Sequence, residues 1–200
     1  MTDLQQNRYD KLIRRVGNLQ GAGSMVNDVL TELFPMIDVE NVPGELLALM
    51  GTRLGFGGAN ISASAGEIGK IQIFNPAESA LLVTITGIVL STAVSNIMEM
   101  DTTVGAIGSV FSTRKFRDLR FGVSQTTAAE IRTLTDAGGI PGTFSARVSS
   151  DTPLQLTDPN GLFILSPGSG LTVANASVNV AITASFFWRE RVAEPSELNL

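Results

Sequence analysis

The residues of this chain best suited to acid–base chemistry are five aspartates, Asp101, Asp118, Asp136, Asp151 and Asp158. A pair of carboxylates can hydrolyse a glycosidic bond without histidine, one acting as acid and the other as nucleophile or base. Nearly all five, however, sit beside Gly, Pro or Thr, where an aspartate side chain commonly closes a turn onto its own backbone. Asp158-Pro159-Asn160-Gly161 reads directly as a turn. Ser64 and Lys70 are the nearest nucleophile–base pair in sequence, but no nucleophile elbow accompanies them. Gly55-Phe56-Gly57-Gly58 and Gly66-Glu67-Ile68-Gly69-Lys70 lack the spaced glycines and Gly-Lys-Ser/Thr ending of a phosphate loop, so both read as flexible turns.

Two absences narrow the chemistry further. There is no histidine and no cysteine, which excludes disulfides, thiol nucleophiles, imidazole acid–base catalysis and thiolate or imidazole zinc ligands. A calcium site made of loop oxygens is compatible with the composition, although no EF-hand spacing is present. The expectation is a protein that is not an enzyme and holds no cofactor or metal.

Charged residues make up 16% of the chain, well under the ~25% usual for a globular domain. Only three lysines occur, Lys11, Lys70 and Lys115, against eleven arginines. A surface so poor in lysine suits coverage by other protein. The net charge of −5 argues against nucleic acid as a partner. The basic run Arg114-Lys115-Phe116-Arg117 with Arg120 is interrupted by Asp118 and reads as a solvated strand face. The N-terminal residues show no signal-peptide core, and the longest apolar run, near Leu81 to Leu90, is too short to span a bilayer. A cytoplasmic origin without membrane association is expected. Asn175-Ala176-Ser177 matches a glycosylation acceptor but reads as a turn.

Residues 1–58 and 59–192 differ in pattern, and 193–200 form a tail. The first region predicts three short helices. Leu4, Tyr9, Leu12, Ile13 and Val16 approximate one apolar face; Met25, Val26, Val29, Leu30 and Leu33 follow a capping Ser24; a third starts near Pro43. Helices this short need a partner surface. They either pack beneath the next domain or form an arm that reaches another subunit. Gly55 to Gly58 would be the junction.

From Ile61 onwards the pattern turns to strands. Ile71 and Ile73 alternate with polar neighbours before the Asn75-Pro76 turn, and residues 80–89 are rich in β-branched side chains. Further strands are predicted around Asn96–Met100, Phe111–Phe121, Thr143–Ser149, Leu154–Leu156, Leu162–Leu165, Leu171–Val173 and Val178–Trp188. Ile131 to Ala137 reads as an isolated helical turn. Eight or nine strands with no helices between them predict an antiparallel β-sandwich, jelly-roll-like in preference to immunoglobulin-like.

Three segments carry a family likeness: Lys70-Ile71-Gln72-Ile73-Phe74-Asn75-Pro76-Ala77-Glu78-Ser79, Phe163-Ile164-Leu165-Ser166-Pro167-Gly168-Ser169-Gly170-Leu171-Thr172-Val173, and Phe186-Phe187-Trp188-Arg189-Glu190-Arg191. Their layout over residues 66–195 resembles small virion proteins of tailed bacteriophages. The resemblance implies a β-sandwich structural protein, of the head decoration (cement) type, often assembled as a trimer and bound to the major capsid protein or other virion proteins. The helical first region is not part of it. In the last segment, a period of two puts Ile182, Ala184, Phe186 and Trp188 on one face and Phe187 on the other. Trp188 reads as core, whereas Phe187, Arg189 and Arg191 suit an interface. Leu4, Leu12, Ile13, Met25, Leu30 and Leu33 are the corresponding positions of the arm. The alternative is a tail or receptor-binding module that takes carbohydrate, which Tyr9 and Trp188 alone poorly equip.

Overall fold

The computed structural model describes residues 52–111, 127–140, 144–158 and 161–193, all within Val42–Leu200, one of two units into which the chain divides. The predicted arm, with Leu4, Leu12, Ile13, Met25, Leu30 and Leu33, lies outside the described residues. So do the basic run at 114–120 and the tail beyond Ala193.

The described chain is built from eleven strands: β1 (Arg53–Ile61), β2 (Ile68–Phe74), β3 (Leu81–Thr92), β4 (Asn96–Val104), β5 (Ser109–Val110), β6 (Glu130–Asp136), β7 (Phe144–Val148), β8 (Leu154–Thr157), β9 (Phe163–Leu165), β10 (Ser169–Asn175) and β11 (Ile182–Val192). One sheet runs β1-β11-β3-β8, with β9 also on β3; the other runs β5-β6-β2-β10-β4-β7. Every pairing is antiparallel. The molecule is thus mainly β, a sandwich of two antiparallel sheets.

The period-two pattern explains which residues meet between the sheets. Val83, Ile85, Ile88, Leu90, Ile182, Ala184, Phe186 and Trp188 from the five-stranded sheet pack on Ile71, Ile73, Met98, Ile131, Leu171 and Val173 from the six-stranded one. Each such fully buried large side chain contributes roughly 1.5–3 kcal/mol relative to exposure. On β3 the apolar parity changes from odd (Val83, Ile85) to even (Ile88, Leu90). A bulge produces the change: Phe187 pairs with Gly87 and Trp188 with Ile85, leaving Thr86 as the extra residue. At the same point β3 passes from β8 to β9 on its other edge, and the carbonyl of Thr86 accepts the Asp158 N–H at 3.0 Å.

Several sequence expectations are corrected. Gly55 to Gly58 is no flexible junction; it lies inside β1, which also crosses the expected boundary at 58/59. Gly55 is placed there by contact: a β-carbon at this position would lie 2.2 Å from Cε2 of Trp188, its cross-strand partner. Residues 131–137 form strand β6 almost throughout, because Ile131 is drawn into the core and the segment pairs along β2. The last strand begins at Ile182, not Val178, and continues through Arg189-Glu190-Arg191 to Val192. Gly69 and Lys70 belong to β2, so only Gly66 keeps a turn role, its φ of +84° suiting glycine.

Candidate interaction surface

Strand β11 has two faces with opposite fates. Inward, Trp188 is 2% and Glu190 1% exposed. The Glu190 carboxylate accepts the Ala129 N–H at 2.9 Å and the Trp188 indole N–H at 3.0 Å through Oε1, and the Ala128 N–H at 3.0 Å through Oε2. Ala128 and Ala129 lead into β6 of the opposite sheet, so one carboxylate ties the two sheets together. Three donors offset the cost of burying its charge.

Outward, Phe187 and Phe56 are cross-strand partners on β11 and β1. Their ring centroids lie 4.7 Å apart with the planes inclined at 39°. Phe187 is 39% and Phe56 42% exposed. On its other side Phe187 lies over Gly87, where a β-carbon would come within 3.3 Å of the ring. The adjacent row across the sheet is Leu54, Arg189, Thr84 and Ile164, and Arg191 follows opposite Leu82. The outer face of the five-stranded sheet therefore has an aromatic centre, an exposed aliphatic flank at Ile164 and two guanidinium groups at one end.

The outer face of the six-stranded sheet is closed by the chain itself. Gln72, fully buried, donates to Thr103 Oγ1 at 2.7 Å and to the Gly105 carbonyl at 3.1 Å, and its Oε1 accepts the Ile107 N–H at 2.9 Å. Thr103 and Thr172 hydroxyls meet at 3.0 Å. Arg132 donates to the carbonyls of Ile107 at 2.8 Å and Gly108 at 3.0 Å and pairs with Glu130 at 2.7 Å. The segment 105–108 is thereby latched over the strands. Gly170 makes room for the latch, since a β-carbon there would stand 2.8 Å from Gln72 Nε2.

Among the described residues the aspartates occupy separate elements. Asp136 pairs with the buried Lys70 at 2.8 Å and accepts the Gly138 N–H at 2.9 Å in an Asx-type turn. Lys70 is thus committed to Asp136 and the vicinity of the Gly139 carbonyl, 3.5 Å away, and not to Ser64. Asp101, expected in a turn, is a strand residue of β4 opposite Thr172. The backbone carbonyl of Asp158 accepts the Gly161 N–H at 3.1 Å and closes the expected turn. Asp118 lies outside the described residues. Among the described residues no three His, Cys, Asp or Glu side chains are grouped to hold a metal ion, and no helix is long and apolar enough to cross a membrane. Asn175 is fully buried at the end of β10, and its Nδ2 donates to the Val180 carbonyl at 2.9 Å, so the acceptor motif is a structural turn.

Phe187, Arg189 and Arg191 share the outward side of β11. Sequence reading missed two residues. Phe56 was obscured by glycines on both sides, although the alternation that places Phe187 outward offers no signal for its partner. Glu190 was signalled: the period that buries Phe186 and Trp188 also turns residue 190 inward. No family model matches the chain, and no similarity to a curated protein or to a solved structure is found.

Proposed function

We propose that this chain is a non-enzymatic structural protein of a phage virion, a capsid decoration or cement protein that stabilises the head by binding the lattice of the major capsid protein. The observation that carries the reading is the outer face of the five-stranded sheet, where the tilted ring pair Phe56 and Phe187 adjoins Arg189 and Arg191. Aromatic and arginine side chains side by side on an exposed face are the composition of an interface centre, and a soluble monomer gains little by displaying them. The β-sandwich topology supports the reading as well. With β5 and β6 set aside and β8 and β9 taken as one interrupted strand, the orders are first-last-third-sixth and second-penultimate-fourth-fifth, as in a jelly roll with two Greek keys. That architecture serves viral capsids and lectins alike, so function rests on the face and not on the fold.

The mechanism is burial repeated by symmetry. A homo-oligomer, a trimer in this proposal, sets several copies of the face and of the N-terminal arm against the shell, and weak contacts act together through effective concentration. Leu4, Leu12, Ile13, Met25, Leu30 and Leu33 are assigned to the arm. The test is co-sedimentation with shells assembled from the major capsid protein encoded alongside this chain. Binding is expected for the native chain and a loss of at least about tenfold for Phe187→Asp or for paired charge reversals at Leu12 and Leu30, tenfold corresponding to ~1.4 kcal/mol. No binding by the native chain would refute the proposal.

A further inference from the structure

We infer that β1, an edge of the five-stranded sheet among the described residues, pairs antiparallel with β1 of a second copy about a twofold axis, joining two sheets into one. Edge strands are normally short, charged, bulged or interrupted by proline, because their free N–H and C=O groups otherwise recruit another strand. The other described strands at a sheet margin, β5, β7, β8 and β9, each carry such a device. β5 has two residues and β9 three. β8 has four, bracketed in sequence by Pro153 and Pro159, and β7 has five, including Arg147. β1 differs from all of them. It has nine residues, contains neither proline nor lysine, and keeps an unbroken register with β11 from Arg53 opposite Glu190 to Ile61 opposite Ile182. Its one charged residue, Arg53, stands at its first position.

The side chains of β1 fit a copy of itself. Antiparallel pairing over the whole strand sets Gly57 on the twofold axis, Phe56 opposite Gly58 and Gly55 opposite Ala59 of the second copy, with Leu54 opposite Asn60 further out. On the inner side only Gly55, Gly57 and Ala59 meet near the axis, so two backbones reach the ~4.8 Å spacing of a sheet without collision. On the outer side each Phe56 ring meets a glycine. The same arrangement already exists within the chain, where a β-carbon on Gly87, cross-strand partner of Phe187, would lie 3.3 Å from that ring. An aromatic opposite an edge glycine shields the backbone that the glycine leaves bare. A slip of one residue would turn the outer side chains inward, and a slip of two would forfeit pairs at both ends. The contact is isologous. It leaves the outer face of the sheet open and does not depend on the reading of that face as a shell-binding surface.

The test uses the full chain. Sedimentation velocity over a wide range of concentration is expected to show an assembly with an even number of copies. Hydrogen exchange at high against low concentration should slow by about tenfold or more at alternate amides of β1, those that face the edge, and stay unchanged in β7. The chain contains no cysteine, so introduced thiols report the register cleanly. Copies carrying Leu54→Cys mixed with copies carrying Asn60→Cys are expected to form disulfide-linked pairs of unlike chains. Neither variant alone should couple at a comparable rate, because position 54 of one copy stands ~20 Å from position 54 of the other in this register. Leu54→Lys with Asn60→Lys sets like charges opposite each other twice and is expected to weaken association about tenfold or more. Where that double variant fails to fold by circular dichroism, the thiol mixture and the exchange of the native chain decide. Phe187→Asp, expected to lose shell binding, should assemble as the native chain does. A monomer at every concentration overturns the inference, as does an assembly whose β1 amides exchange no more slowly. Like-chain disulfides forming as fast as unlike ones, or a folded double-lysine variant that associates normally, overturn it too.

Discussion

The outer faces of the two sheets are built alike and used differently. On the six-stranded sheet, Gln72, Thr103 and Thr172 stand where side chains would face solvent, yet Gln72 and Thr172 are fully buried. Gln72 holds segment 105–108 by hydrogen bonds, Thr103 accepts from Gln72 and meets Thr172, and Gly170 leaves the space. On the five-stranded sheet Phe187 on the inner strand β11 and Phe56 on the edge strand β1 stand on the outer side, and both side chains retain about two-fifths of their surface exposure. Polar side chains at the centre of an outer face draw the protein's own backbone over them, since buried polar groups require partners. Aromatic side chains there cannot satisfy a loop's N–H and C=O groups and stay open for apolar contact.

Severing the tie that holds both sheets should have the largest effect. Glu190→Ala leaves the N–H groups of Ala128, Ala129 and the Trp188 indole without their acceptor, for a destabilisation of about 3 kcal/mol or more. Chemical denaturation measures it, and a change under ~1 kcal/mol would mean that water readily replaces the carboxylate. Both faces should be lost together.

Next comes the closed face. Gln72→Ala removes two donated bonds and one accepted bond and is expected to cost about 2 kcal/mol, lowering Tm by roughly 4–8 °C. Hydrogen exchange should speed up at the Ile107 amide, while the amides of β11 stay protected. Equal acceleration in both places would erase the distinction between a latched loop and a shared core.

The open face should respond in the opposite sense. Phe187→Ser is expected to change stability by under ~1 kcal/mol, because the side chain is partly exposed, while abolishing shell binding. A large loss of stability would assign Phe187 to the fold. The smallest effect is the coupling of the two rings: a double-mutant cycle with Phe56→Ala and Phe187→Ala should give about 0.5–1 kcal/mol. A coupling near zero would mean that the tilted 4.7 Å ring contact contributes nothing to strand pairing.

Much of the sandwich was legible because alternation is a local property. Ile71 and Ile73, Ala146 and Val148, and Ile182 to Trp188 each declare a strand and its buried side within a few residues. The misreadings have equally local causes. Three glycines in four residues at 55–58 imitate a loop, yet two of those positions adjoin Trp188 or Ser185 on the neighbouring strand too closely for a side chain. Residues 131–137 carry one strongly buried side chain, Ile131, too few to announce a strand, and pairing with β2 and β5 decides the matter. The surface was half legible: Phe187, Arg189 and Arg191 follow from the period of β11, whereas Phe56 becomes their neighbour only through a register linking positions 131 residues apart.

The amino-acid sequence alone determined the mainly β character, the inward set of each long strand and, through the lack of histidine and cysteine, the chemistry this chain forgoes. Composition and a period of two suffice for that. Only the tertiary structure decided which outer face the chain would cover, and which glycine would lie beneath Trp188. It also brought to Glu190 the backbone amides of residues 128 and 129, some sixty positions away. Those outcomes depend on strand order and register, which arise when distant segments meet and which no short window of sequence contains.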